Sequence, residues 1–277
     1  MIDKTILKNI IKRALEEDIG TGDITTLSTV PADRVISGRF IAKEDGIICG
    51  VEVIKKVFEL TDKSINTEIL IDDGSFVKKG DIIAEVSGSA RGILTGERVA
   101  LNFLQRLSGI ASKTNEIVKQ IEGTNARITD TRKTTPGLRM LEKYAVKTGG
   151  GFNHRFNLSD GILIKDNHIK AAGSIIKAVN SAKAASHNAK IEVETENLEQ
   201  VKEALDAGAD IIMLDNMDID TMKDAIEIIN KKALVEASGN MLDKDIKDIA
   251  KTGVDLISVG GLTHTVKAMD ISLKFYD

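Results

Sequence analysis

With 277 residues, 42% of them hydrophobic and 29% charged, the chain is long enough for one large α/β domain or two smaller ones. A net charge of −4, 3% aromatic residues and no Trp argue against a nucleic-acid-binding surface built on stacking and bulk positive charge. Cys49 is the single cysteine, which excludes an internal disulfide framework and a multi-cysteine zinc site. No stretch has the apolar length to cross a bilayer and the N-terminus lacks a signal peptide's apolar core, so a cytoplasmic enzyme without membrane attachment is expected.

Residues 3–19 place Ile6, Leu7, Ile10, Ile11, Ala14, Leu15 and Ile19 on one helical face, and Gly20 ends that helix. EDIGTGDITT then reads as turn, with Glu17, Asp18 and Asp23 better suited to capping and solvated roles than to metal binding. From Val35 to Leu94 the pattern changes to short β-type runs, VISGRFIA, GIICGVEV, INTEILI, DIIAEVSG and SARGIL, interrupted by a helix at about 53–60. DGSFVKKGDIIAEVSG resembles the β-repeats of biotinyl and lipoyl carrier domains, but Lys78 and Lys79 read as turn charges, not as a carrier lysine. Cys49 lies in an apolar run, as a buried structural thiol does. Thr95 opens a long helix with Leu101, Leu104, Leu107 and Ile110 on its core face. Near its start Arg98 is a cation where the helix dipole disfavours one, a conflict that an anion would remove.

The second half repeats. Apolar runs end before Thr195, Asp215, Ser238 and Gly260; the markers Glu194, Asp215, Glu236 and Ser258 in and after them are spaced 21, 21 and 22 residues apart, with helical segments such as NLEQVKEALDAG between them. That is the period of βα units. Adding ARITD and DGILIKD gives six parallel strands wound into a barrel, an incomplete one. The tail MDISLKFYD alternates like a strand returning to the first domain. We place an N-terminal α+β domain at 1–107, the barrel at 108–269 and the returning tail at 270–277.

Residues after barrel strands converge on one mouth. Here they are Arg132 and Lys133, Lys165 and Asp166, Glu194, Asp215, Ser238 to Asn240, and Gly260 to His264. Between Ile128 and Ile169 lie Arg132, Lys133, Arg139, His154, Arg155, Lys165 and His168. Guanidinium groups in such a concentration suit a small, multiply anionic ligand. The Gly-rich ASGN and VGGLTH loops on the last two strands suit a phosphate. Glu194 and Asp215 fit sugar hydroxyls, developing positive charge, or Mg²⁺ through water; the alternative is that they cap the next helices.

DTRKTTPGLRMLEKYAVKTGGGFNHR, LSDGILIKDNHI, VEVET, MLDNM, EASGN and SVGGLTH, together with EDIGTGDIT and GERVALNFLQRLSGIAS, resemble the bacterial quinolinate phosphoribosyltransferases, or carboxylating nicotinate-nucleotide pyrophosphorylases. The resemblance runs in order along nearly the whole chain. It implies an N-terminal α/β sandwich with an incomplete α/β barrel. It also implies a homodimer with shared active sites, open to further assembly, and the Mg²⁺-dependent conversion of quinolinate and phosphoribosyl pyrophosphate to nicotinate mononucleotide, CO₂ and pyrophosphate in NAD synthesis. By this resemblance Arg132, His154, Arg155, Lys165 and a partner's Arg98 hold the two quinolinate carboxylates. Thr131, Lys133, Glu194, Asp215, Ser238, Gly239, Asn240, Val259, Gly260 and Gly261 hold the phosphoribosyl part, with Lys133, Lys165, Glu194 and Asp215 the catalytic group. His168 and His264 lie nearby, in structural or catalytic roles. Rival readings are a molybdenum-transport-associated relative, a carrier module, and an aldolase-type barrel with Lys165 as Schiff-base nucleophile.

Overall fold

The computed structural model describes residues 3–186 and 189–276. Met1, Ile2, His187, Asn188 and Asp277, which the expected domain ranges include, lie outside the described residues. In chain order the elements begin with α1 (Lys4–Ile19), α2 (Ile24–Thr29), β1 (Val35–Ala42), β2 (Gly46–Ile47), α3 (Val51–Thr61), β3 (Asn66–Ile69), β4 (Phe76–Val77), β5 (Ile82–Ser89) and α4 (Ala90–Gln120). There follow β6 (Arg127–Thr129), α5 (Arg139–Thr148), β7 (Ile162–Ile164), α6 (Asp166–Ala172), α7 (Ile175–Ala185), β8 (Ile191–Thr195) and α8 (Leu198–Asp206). The chain ends through β9 (Ile211–Asp215), α9 (Ile219–Ile229), β10 (Leu234–Ser238), a 3₁₀ turn at Met241–Asp243, α10 (Ile246–Lys251), β11 (Leu256–Ser258), α11 (Gly261–His264) and β12 (Ile271–Tyr276).

Two compact units divide the chain: Met1–Asn115 with Thr135–Gly150 and Thr265–Asp277, and Glu116–Thr134 with Gly151–His264. The boundary expected at 107/108 therefore falls inside the single helix α4, and the segment 135–150, expected in the barrel, groups with the first unit. The first unit holds an antiparallel sheet in the order β12-β1-β5-β3 and a separate β2-β4 pair. Its core includes Phe40 and Phe58, whose ring centroids are 6.1 Å apart. The tail pairs with β1 from Ser37–Tyr276 to Ala42–Ile271. Gln105 Nε2 donates to Ile271 O at 2.7 Å, and a Cβ on Gly109 would lie 2.1 Å from Lys267 O. The tail thus needs a glycine in α4 to approach so closely.

Three local expectations are corrected. SARGIL is not a strand: α4 begins at Ala90, before Thr95. Its glycines serve close packing, since a Cβ on Gly92 would sit 2.7 Å from Asp62 Cβ. Arg98 and Glu97 therefore lie about two turns inside the helix, where the dipole argument has faded. EDIGTGDITT is turn only at its centre: its first three residues close α1 and its last three open α2, which Asp23 caps by accepting from Thr26 N at 3.0 Å. In GIICGVEV only Gly46 and Ile47 pair as strand, because Gly50 turns the chain at φ 113° into α3.

The second unit is a six-stranded parallel sheet ordered β6-β11-β10-β9-β8-β7. First and last strands are neighbours, as in a barrel, and the ladder is open between β6 and β7. On β6's free edge Phe152 makes an isolated parallel bridge to Thr129. Phe152 N donates to Ile128 O at 2.8 Å, and Asp130 N to Phe152 O at 3.1 Å. This incomplete α/β barrel buries Ile164, Val193, Ile212, Leu214, Val235 and Ile257 in its strands.

Candidate active site

The β6 end is built inward. Asp130, fully buried, accepts from His154 N at 2.9 Å through Oδ1 and from Asn153 Nδ2 at 2.6 Å through Oδ2. That carboxylate ties the NHR segment to the strand that leads into Arg132. Arg155 Nη1 donates to Gly161 O at 3.0 Å, while its Nε is buried without a hydrogen bond. Burial, and then the charge of Arg132, lower the proton affinity of Arg155. Two guanidinium groups close enough to repel, one with an unspent buried N–H, form a site for an anion.

The other strand ends assemble as the spacing predicts. Lys165, the first residue after β7, is ion-paired with Glu194 of β8. Asp215 ends β9, lies in register with Ser238 at the end of β10, and accepts from Asn216 Nδ2 at 3.1 Å. Neither Glu194 nor Asp215 caps a helix; Asn197 caps α8 and Asp218 caps α9. Gly239 has φ 94°, and a Cβ there would lie 2.8 Å from the Asn216 main-chain nitrogen. A Cβ on Gly260 would meet Lys133 Cδ at 3.2 Å, His264 Cδ2 at 3.4 Å and Thr131 Oγ1 at 3.5 Å, so Thr131, Lys133, Gly260 and exposed His264 are mutual neighbours. Thr263 Oγ1 donates to Lys133 O at 2.7 Å, Val259 N donates to Thr129 O at 2.9 Å, and Gly261 lies against Leu242. Asn240 follows Gly239 with φ 48°. His168 Nδ1 accepts from Lys165 N at 2.9 Å, a capping contact at the start of α6. Arg98 is exposed on α4, in the first unit.

Sequence reasoning missed two carboxylates. Glu192 and Glu236, at 4% and 0% exposure, lie inside the barrel unit with His154. His154 Nε2 is 3.1 Å from Glu192 Oε2 and 3.4 Å from Glu236 Oε2. Burial alone would depress the imidazole pKa, but hydrogen bonds to and charges on the two glutamates outweigh it and push it up to about 10. Burial also raises Glu192, opposed by the His154 hydrogen bond and reinforced by the charge of Glu236. The place of the ring hydrogen is set by geometry. That hydrogen is not on His154 Nδ1, because that nitrogen accepts the Arg155 main-chain N–H at 2.9 Å and needs its lone pair to do so. The Arg155 contact assigns the ring's hydrogen to Nε2, which faces the two glutamates. The available signal was a period of two: Glu192 shares a strand face with Glu194, and Glu236 with Ser238.

The match to known proteins is extensive. Residues 23–108 match the family model for the N-terminal domain of quinolinate phosphoribosyl transferase, and residues 110–274 the model for its C-terminal domain. The chain is 48% identical over 268 residues to a Bacillus subtilis protein named probable nicotinate-nucleotide pyrophosphorylase [carboxylating], covering 96% of this chain and 92% of that one. It is 46% identical to the chloroplastic nicotinate-nucleotide pyrophosphorylase [carboxylating] of Arabidopsis thaliana, covering 97% and 82%. The solved nicotinate-nucleotide pyrophosphorylase of Francisella tularensis superposes with a TM-score of 0.95 at 43% identity, covering 100% of this chain and 98% of that one.

Proposed function

The chain belongs to the quinolinate phosphoribosyltransferase family, and we propose that it transfers phosphoribosyl from phosphoribosyl pyrophosphate to quinolinate with decarboxylation. The products are nicotinate mononucleotide, CO₂ and pyrophosphate, a step of NAD biosynthesis. The carrying observation is the Arg132–Arg155 pair, repelling cations with a buried unspent N–H, beside strand ends that present Lys165, Glu194 and Asp215. Quinolinate supplies two carboxylates for Arg132, Arg155 and Lys165. Both ring nitrogens of His154 bond the protein, so it enters this reading as the neighbour of Arg155. Thr131, Lys133, Ser238, Gly239, Asn240, Val259, Gly260 and Gly261 receive the phosphoribosyl group, with main-chain N–H groups turned to phosphate by the glycines.

The chemistry follows the charges. Departure of pyrophosphate leaves positive character on the anomeric carbon, which Glu194 and Asp215 stabilise, while Lys133 takes up charge on the leaving group. The pyridine nitrogen attacks that carbon and becomes quaternary. The C–C bond to the adjacent carboxylate then breaks, CO₂ leaves, and the cationic ring accepts the electron pair until a proton replaces it. Glu194 and Asp215, oxygen donors on neighbouring strand ends, fit Mg²⁺ held through water, which when bound would neutralise pyrophosphate charge. An aldolase-type role would require Lys165 to give up its ion pair with Glu194.

Purified protein given both substrates and Mg²⁺ should release CO₂ and nicotinate mononucleotide; no product would reject the reading. Nicotinate, with one carboxylate, should be a poor substrate because it leaves a cation unpaired. We further propose a homodimer whose sites each take Arg98 from the other subunit, supported by the exposure of Arg98 on the first unit and by the family resemblance. Arg98→Ala and Lys165→Ala should each be inactive, and hybrids of the two should regain one intact site per dimer. Hybrids confirmed by native mass spectrometry yet inactive would place Arg98 elsewhere.

A further inference from the structure

His154 stands at the centre of a set of contacts that leaves it no free nitrogen. Its main-chain N–H is spent on Asp130 Oδ1 at 2.9 Å. Its Nδ1 receives the Arg155 N–H at 2.9 Å, and a main-chain donor cannot rotate away. Its Nε2 faces Glu192 Oε2 and Glu236 Oε2 at 3.1 and 3.4 Å. In a neutral imidazole one nitrogen donates and the other accepts, so the Arg155 contact compels Nε2 to carry the hydrogen and to donate to Glu192 Oε2, with Glu236 Oε2 beside it. The same tautomer excludes a metal ion at this histidine and two carboxylates, because Nε2 has no lone pair to give.

The two glutamates come from different strands, β8 and β10, and both are buried. Glu192 Oε1, Glu236 Oε1 and Glu236 Oε2 make no well-formed hydrogen bond. Burying such groups is expensive for stability alone, and an apolar pair of equal volume would pack the barrel at lower cost. Their position gives them a use. We infer that Glu192 and Glu236 are positioning residues: they orient His154, and His154 Nδ1 in turn fixes the main chain of Arg155, so that its guanidinium is presented to a substrate carboxylate in one geometry. His154 is then a positioning residue too. The inference rests on the proposed function only for the carboxylate that Arg155 reads; the triad itself is independent of it. The Arg155 side chain is otherwise anchored through Nη1 to Gly161 O. Without the histidine its approach angle would be set by the loop alone, and misplacement of about 1 Å in such a group costs about 100-fold in rate.

Two measurements test this. In the wild-type protein, ¹⁵N spectra of labelled histidine at neutral pH, with His154 assigned by His154→Gln among four histidines, should show Nδ1 as the unprotonated nitrogen and Nε2 as the protonated one. A protonated Nδ1 would overturn the inference, whether or not the protein turns over quinolinate. In steady-state assays Glu192→Met/Glu236→Met, which removes both acceptors at similar volume, should raise the quinolinate KM by about 10- to 100-fold. The phosphoribosyl pyrophosphate KM should stay within about threefold, and Glu192→Gln and Glu236→Gln, which keep an acceptor oxygen, should restore most of the loss. Unchanged quinolinate KM in a folded double variant, or equal rises for both substrates, would overturn it. If the double variant does not fold, the wild-type spectrum and the Gln variants still decide. Inactive wild-type protein would reject the function while leaving the tautomer result to judge the triad.

Discussion

The two units bury polar groups in opposite ways. In the antiparallel unit the buried groups close on each other. Arg106 donates Nε and Nη2 to Glu142 Oε1 at 3.0 and 2.7 Å, and Glu142 Oε2 accepts from Thr135 N at 3.0 Å. Asp73 Oδ1 accepts from Gly50 N and Val51 N at 2.7 and 3.0 Å, and its Oδ2 accepts from Tyr144 OH at 2.8 Å. In the barrel unit Thr129, Arg155, Glu192 and Glu236 keep buried polar atoms with no hydrogen bond, whereas Ser272 Oγ is the one such atom in the antiparallel unit among the described residues. Polar burial that is saturated locks elements in place. Polar burial left open marks where a ligand completes the bonding.

The sharpest way to break this contrast is to remove one group from each side. Arg155→Ala should lower kcat/KM for quinolinate by about 2–5 kcal/mol, roughly 30- to 5,000-fold, because a charge-assisted pair disappears from a desolvated site. Arg132→Ala should do the same. Melting temperatures should move little, since among the described residues the Arg155 side chain gives up one hydrogen bond, to Gly161 O. Near-normal kcat/KM in either soluble variant would show that the open valences have no part in substrate binding.

The matching change in the closed network is Glu142→Ala. It strands the Arg106 charge, and removing one member of a buried pair destabilises by about 3–5 kcal/mol. Arg106 keeps 31% side-chain exposure, so the loss should fall near the lower figure. Urea unfolding of the variant checks it; a loss under about 1 kcal/mol would mean that the network is not what holds this unit's polar core together.

The contrast was only half legible in the sequence. The six barrel strands were, because each is an apolar run that ends at polar residues, the last four at intervals of 21 or 22. Arg132, Lys165 and Asp215 were, because they follow those runs directly. Glu192 and Glu236 were not, since inside KIEVE and ALVEA they read as parts of strands, and only a partner 38 or more residues away in His154 gives them meaning. Glu142 paired with Arg106 was equally hidden, 36 residues apart on two helices. The start of α4 was misread because Gly92 and Gly96 suggest a break, yet a Cβ on either would crowd the end of α3. Close helix packing, which no local pattern records, explains those glycines.

The smallest expected effect tests whether closure is additive. Tyr144→Phe removes the donor to Asp73 Oδ2 and leaves Oδ1 with its two main-chain N–H partners at the start of α3. Burial, and then the charge of Asp73, push the Tyr144 phenol above its usual pKa range, so the hydroxyl stays a donor at every working pH. Losing one such bond from a partly buried pair should cost about 1 kcal/mol, a drop of roughly 2–4 °C in Tm, with kcat and both KM values unchanged. Combined with Arg155→Ala, the stability loss should equal that of Tyr144→Phe and the rate loss that of Arg155→Ala. Independent sites add in this way. A rate loss in Tyr144→Phe alone, or a coupling in the double variant beyond about 0.5 kcal/mol, would show that the saturated and open polar groups form one network, and the division drawn between the units would fail.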